Sequence, residues 1–321
     1  MDTLCLECYP ISTTDLRKQL TFEDLVQLTY LTCFQTIKKS FVIISRGSCE
    51  DALLEEIVTY PNMDGINILT DARHATRKNS RFTDVVCIGA NTHKVIRTET
   101  VSKVDNACTQ KHELIGTQRI YEYLDSVDNG VGVHVKLHCH DRNPVINKCI
   151  REERPDTTST NDTWHATKNV TKEVKCVCLG PKYKEGVTWH RELSDKAGSI
   201  KTHFYWCIRN CDQDANKLRE NIMNVVNHYK DIHNNCSETS RCRQDAHYES
   251  SKTLICDPKA ELLLCQALKN TVVYKHTDDY VHCMDTFFVE SFNNSLLQYH
   301  NKRINFSDDV YRFRTNMALL D

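Results

Sequence analysis

Three acidic side chains stand where apolar ones are due. Asp71 closes the apolar run GINILTD (65–71), with Leu69 on its own side of an extended chain. Asp141 closes VGVHVKLHCHD (131–141), in which Val131, Val133, Val135, Leu137 and Cys139 alternate with Gly132, His134, Lys136, His138 and His140. Glu290 lies in DDYVHCMDTFFVESFNNSLLQY (278–299). There Val281, Met284, Phe288, Phe292 and Leu296 form one helical stripe, and Phe287, Glu290, Asn294 and Leu297 a second. Taken singly, each acid reads as a polar strand end or a solvated helix residue. Taken together, carboxylates on a rigid scaffold are the donor set for Mg²⁺ or Mn²⁺, hard ions that prefer oxygen. Such ions activate a nucleophile and stabilise a leaving oxygen at a phosphodiester.

Two further groups carry chemistry. Cys207-x3-Cys211, followed after sixteen intervening residues by His228-x4-His233, falls within the spacings of structural zinc, with Cys236 and Cys242 as alternative ligands. A closed tetrahedral Zn²⁺ there is expected to hold a helical insertion with little core of its own. The loop ARHATRKNSR (72–81) contributes Arg73, Arg77, Lys78 and Arg81 and no acid. Beside Asp71 such a cluster suits contact with DNA phosphates; the plain alternative is a solvated turn. His134, His138 and His140 read as a polar strand face in preference to a metal site.

The elements that must position these residues follow from periodicity and turn chemistry. Residues 15–58 are helical in pieces. Strands are expected at 65–71, 82–90 and 93–103, with a tight reversal at Asn91-Thr92, then a helix over 107–127 and the strand 131–141. Asn143-Pro144 opens a further helix ending near Glu153, before Pro155. The order strand, strand, strand, helix, strand, helix is that of a ribonuclease-H-like core: α/β, a mixed sheet with helices on both faces. In it the strands ending in Asp71 and Asp141 are neighbours. Residues 166–270 carry helical patterning and no sheet signal, so the expected layout is an N-terminal helical segment (1–60) and one domain (61–321). That domain is interrupted by a mostly helical, zinc-binding insertion (176–277).

Bulk properties limit the alternatives. The chain has 321 residues, 40% apolar and 26% charged, enough for a large core. A net charge of −2 means that any nucleic-acid surface must be local. No window approaches the roughly 18 apolar residues of a membrane span. The opening MDTLCLECYP lacks a basic stretch followed by a long apolar run, so the 17 cysteines are expected to be free thiols in a reducing compartment.

From about Tyr30 to Asp321 the chain resembles the catalytic region of eukaryotic cut-and-paste DDE transposases. It is most similar to a transposase-derived group of animal proteins whose first aspartate lies in a D-x-R context, here LTDARH (69–74). HDRNP (140–144), DTWHATKNVTKEV (162–174) and VESFNNSLLQYHNKRINF (289–306) match the later motifs in order. The group's Asp-Ser-Pro-Gly turn after the first motif is replaced by the basic loop. The resemblance implies Asp71, Asp141 and Glu290 as the metal-binding triad, Asp162 and His165 as supporting residues, DNA as partner and the nucleus as location. The matching region begins near the N-terminus, so an upstream DNA-reading domain is expected to be missing; a homo-oligomer remains open.

The leading expectation is therefore a two-metal polynucleotidyl transferase. The rivals are a catalytically silent, transposon-derived DNA- or protein-binding protein and a structural zinc protein.

Overall fold

The computed structural model describes residues 22–321, apart from Arg77 and Lys302; the first residues of the expected helical stretch lie outside it. A long helix, α1 (Phe22–Val58), leads into β1 (Ile66–His74), β2 (Phe82–Gly89) and β3 (Val95–Ser102). Then come α2 (His112–Gly130), β4 (Val135–His140), α3 (Pro144–Glu153) and β5 (Thr158–Asn161). The strands form one mixed sheet in the order β3-β2-β1-β4-β5. The pairs β3/β2 and β2/β1 are antiparallel, while β1/β4 and β4/β5 are parallel. No described helix is long and apolar enough to cross a membrane.

Local chemistry explains several joints. Asn143 accepts a hydrogen bond from the Val145 amide and caps α3, with Pro144 in its first turn. The β2–β3 reversal at Asn91-Thr92 is gripped by the buried Glu56 of α1, whose carboxylate accepts both amides and the Thr92 hydroxyl. Gly89 makes this possible, because a Cβ there would lie 2.3 Å from the Glu56 carboxylate.

The sheet is covered on both faces. On one, Ile66, Ile68, Val85, Cys87 and Val135 pack against Leu53 of α1, Ile120 and Leu124 of α2, and Ile146 and Ile150 of α3. On the other, Leu69, Val86, Ile88 and Cys139 meet Val289 and Leu296 of α8 (Phe287–Tyr299) and Ala318 of α9 (Asp308–Ala318).

The strand 131–141 departs from the simple alternation. It is shorter, and its pairing with β1 shifts register, since Ile66 faces Val135 but Asn67 faces Leu137. This irregularity changes the parity of the strand. Val135 joins the α2 face, whereas Cys139, and Asp141 beyond it, belong to the α8 face. The expected polar histidine face is absent as well. His138 is fully buried, its ring nitrogens 2.6 Å from the Thr70 hydroxyl and 3.0 Å from the Tyr121 hydroxyl, and burial holds its pKa low. His140 is buried too, with its pKa lowered to about 4 by burial.

Between β5 and α8 stand α4 (Thr163–Cys178), α5 (Ala197–Arg209), α6 (Ala215–His228) and α7 (Pro258–Asn270), with single helical turns at Arg241–Gln244 and Val272–Lys275. This insertion has the most extensive apolar core in the described molecule, built on Val170, Val174, Phe204, Ile222, Leu264 and their neighbours. The expectation of a weak core is thus overturned, since the amphipathic faces of four helices are enough to bury one another. The expected helix 278–299 is also shorter. Residues 280–286 are not helical, and the buried side of α8 is Val289, Asn293 and Leu296, leaving Phe287 and Phe288 exposed.

Candidate functional site

Asp71 and Asp141 reach one end of the sheet for a simple reason. β1 and β4 are adjacent and parallel, and Leu69 pairs with Cys139; each aspartate lies two residues further on, on the same face. That face is covered by α8, whose Asn293 donates a hydrogen bond from Nδ2 to Asp71 Oδ2 at 2.8 Å. Glu290 lies one turn before Asn293 on the same helix. Asp71 and Glu290 both line an open groove of about 600 Å³. Asp71 and Glu290 therefore share this groove, and Asp141 stands beside Asp71.

Their electrostatics reflect crowding. Burial, then the neighbouring Asp141 carboxylate, pushes the Asp71 carboxyl up to about 7. Asp141 is raised as well, chiefly by burial. Glu113, near the start of α2, is a fourth carboxyl in this field. It is raised by burial and by Asp141, and accepts a hydrogen bond from Asn143.

The segment DTWH places an imidazole between two of the acids. His165 Nδ1 is 3.2 Å from Asp141 Oδ1, and His165 Nε2 is 3.4 Å from Glu290 Oε1. The first contact lacks hydrogen-bond geometry, so Asp141 Oδ1 and His165 Nδ1 are buried polar atoms left without partners. Asp162 has another task. It is the N-cap of α4, its Oδ1 accepting from the His165 amide at 2.6 Å, while Oδ2 accepts from the amide and hydroxyl of Thr286. It thereby ties the start of α4, which carries His165, to the start of α8, which carries Glu290. Although Asp141, Asp162 and His165 bring donor atoms within 4.8 Å of one another, Asp162 is 3% exposed and already bonded through both oxygens. It positions the others.

Two of the loop's cations are neutralised by acids of the fold. Arg73 is not a DNA contact. Its guanidinium is buried, 3.2 Å from Asp84 and within reach of the Tyr311 hydroxyl and the His300 carbonyl. Its place in β1 is responsible, since Arg73 pairs across to Asp84 on β2. Arg81 pairs with Asp308. Lys78 is exposed, and Arg77 lies outside the described residues. Beside His165, however, Trp164 is 41% exposed, with the Lys168 ammonium over its ring.

The zinc assignment needs correction. Cys207 and Cys211 are fully buried members of the insertion's apolar core. Cys211 Sγ donates to the carbonyls of Ile208 and Val281, and burial pushes the Cys207 thiol far up. Cys207 lies on α5 and Cys211 just beyond its end, and both serve as small hydrophobes. Among the described residues the donors that gather around His228 and His233 are Cys236 and Cys242.

Glu113 and Asn293 were not expected as site residues. Asn293 is discernible in VESFN (289–293), part of the last matching motif; nothing in QKHEL (110–114) marks Glu113. No family model matches this chain, and no curated protein matches it.

Proposed function

We propose that this protein is a divalent-metal-dependent phosphodiester transferase acting on DNA, of the DDE transposase kind. The observation that carries the reading is the placement of the three acids at one end of the sheet: Asp71 of β1 and Glu290 of α8 line one open groove, with Asp141, past the end of β4, beside Asp71 and linked to Glu290 through His165. Three features support it. The strand order 3-2-1-4-5, antiparallel then parallel, is that of ribonuclease-H-like cores, and both strand-borne acids lie at its carboxyl end. The sequence motifs around the acids resemble the transposase set in order. The donor chemistry fits hard cations: the Asp141 carboxylate is close enough to Asp71 to help raise its pKa, and Asp141 Oδ1 is buried with no hydrogen-bond partner.

Asp71, Asp141 and Glu290 would hold Mg²⁺ or Mn²⁺, which supplies charge neutralisation and an activated oxygen nucleophile. The chain's own residues prepare the place. Asn293 orients Asp71, Asp162 fixes the relation of α4 to α8, and His165 separates Asp141 from Glu290. Trp164 and Lys168 offer a stacking face and a cation to an adjacent nucleic-acid strand. In the reaction, water bonds to a phosphorus as the P–O3′ bond breaks and the 3′-oxygen gains a proton. The freed 3′-hydroxyl then attacks a second phosphodiester, displacing its 3′-oxygen. Location in the nucleus belongs to this same proposal.

The test is Mn²⁺- or Mg²⁺-dependent nicking of plasmid DNA, expected to fall by about 100-fold or more in Asp71→Ala, Asp141→Ala and Glu290→Ala alike. Normal nicking by any one removes that residue from the mechanism. A second reading, a catalytically silent DNA- or protein-binding relative, is favoured by one observation, the internal neutralisation of Arg73 and Arg81. DNA retention with no Mn²⁺ binding by calorimetry would select it.

A further inference from the structure

The insertion carries a second donor set, remote in chemistry from the first. After His228 ends α6, the chain up to Pro258 contains a single helical turn, and Ile255 is its only buried apolar side chain beyond Tyr229. Little apolar burial therefore holds this stretch in place. Yet within it His233, Cys236 and Cys242 return to His228, and the four donor atoms lie within 4.8 Å of one another.

The details match one kind of ion. Cys236 Sγ is 3.6 Å from His228 Nδ1 and 3.8 Å from His233 Nδ1. A tetrahedron with metal–sulfur and metal–nitrogen bonds of zinc length has sulfur–nitrogen edges of roughly 3.5 Å. Both imidazoles turn Nδ1 inward, and their Nε2 atoms find partners outside. His233 Nε2 is 3.0 Å from Asp231 Oδ1, and His228 Nε2 is 3.4 Å from the Tyr248 hydroxyl. Outer partners of this sort fix the tautomer that leaves Nδ1 free to bind, as metal-bound histidines require. The sulfurs have partners too: Asn224 Nδ2 donates to Cys236 at 3.6 Å, and the Ser240 hydroxyl is 3.2 Å from Cys242. A cleft of about 270 Å³, lined by His228, Cys236 and Cys242, gives an ion access from solvent.

We propose that His228, His233, Cys236 and Cys242 bind one structural Zn²⁺ that clamps the 229–257 segment onto α6. Two thiolates and two imidazoles fill a tetrahedron, leaving no open position for catalysis. Closing the loop through the ion provides the tie that its apolar content does not. The clamp is independent of the phosphodiester chemistry, so triad variants keep their zinc.

The experiment uses the full chain purified under reducing conditions without added metal. Elemental analysis is expected to find about one zinc per chain, and zinc X-ray absorption a first shell of two sulfurs and two nitrogens. In the zinc-loaded protein Cys236 and Cys242 resist thiol labelling, while the exposed Cys176 and Cys256 react; Cys236→Ser/Cys242→Ser loses the zinc. Should the double variant fail to fold, absorption and labelling on the unmodified protein decide alone. Absence of zinc, a first shell without sulfur, a Cys236–Cys242 disulfide, or labelling of these two as fast as Cys256 would each overturn the proposal.

Discussion

The two donor clusters of this molecule are opposites in assembly as well as in chemistry. The carboxylate site joins β1, the end of β4 and α8; Asp71 and its partner Asn293 are 222 residues apart, and only the sheet and its covering helix bring them together. The thiol–imidazole cluster comes from one short run of chain, residues 228–242, folded back on the end of a single helix. Hard oxygen donors thus sit on the rigid scaffold, where exact placement matters for chemistry. Softer donors sit where the scaffold is thinnest and where a bound ion would supply stability. Each site should therefore be removable without the other, and that independence can be attacked experimentally.

The largest effect is expected at the sheet end. Losing a carboxylate of the triad removes several kcal/mol of charge stabilisation, so nicking by Asp141→Ala should fall by about 100- to 1,000-fold or more with zinc content unchanged. Concerted loss of zinc would break the comparison. Next comes Arg73→Ala, which removes the buried cation facing Asp84 and leaves that carboxyl to the Tyr311 and Thr100 hydroxyls; it should cost about 3–5 kcal/mol in denaturant unfolding. An effect under about 0.5 kcal/mol would return Arg73 to the pool of surface cations.

A third prediction uses pH. The Asp71 carboxyl is raised from 3.8 to about 7 in the folded chain, so the fold holds its proton more tightly than the unfolded chain does. Its contribution to stability is complete below about pH 4 and is lost as the pH climbs through about 7. Metal-free Asp71→Asn should therefore melt higher than the unmodified protein at pH 8, while losing the stabilisation that Mn²⁺ gives it. Equal melting temperatures at pH 8 would show that the carboxyl is not strained. The smallest effect belongs to Lys78→Ala, which should weaken DNA retention uniformly and lower the salt slope by about one, with zinc and Mn²⁺ binding intact.

Sequence legibility differed between the two regions for a physical reason. Asp71 and Asp141 were visible because an extended strand reports its buried face every second residue, so a carboxylate in that series is conspicuous. The register irregularity in β4 went unseen, because it depends on pairing with β1, yet it leaves Cys139 and Asp141 on the same side and the inference survived it. The spacing Cys207-x3-Cys211 is misleading because a pair three or four residues apart looks the same whether it grips an ion or, as here at the end of a helix, lies in a core. Arg73 misled likewise, since a cation in a basic loop and a cation buried against Asp84 have the same letter.

What the chain's residues determined by themselves is most of the core elements, though not the edge strand β5, together with the strand-borne acids and the presence of two donor chemistries. Tertiary structure alone decided that α8 brings Glu290 and Asn293 to those acids, that Asp162 is consumed in positioning, and which cysteines face His228 and His233. The division is physical. Periodicity and capping are local properties of a chain, whereas the partner of a buried charge or thiol depends on what the rest of the fold packs against it.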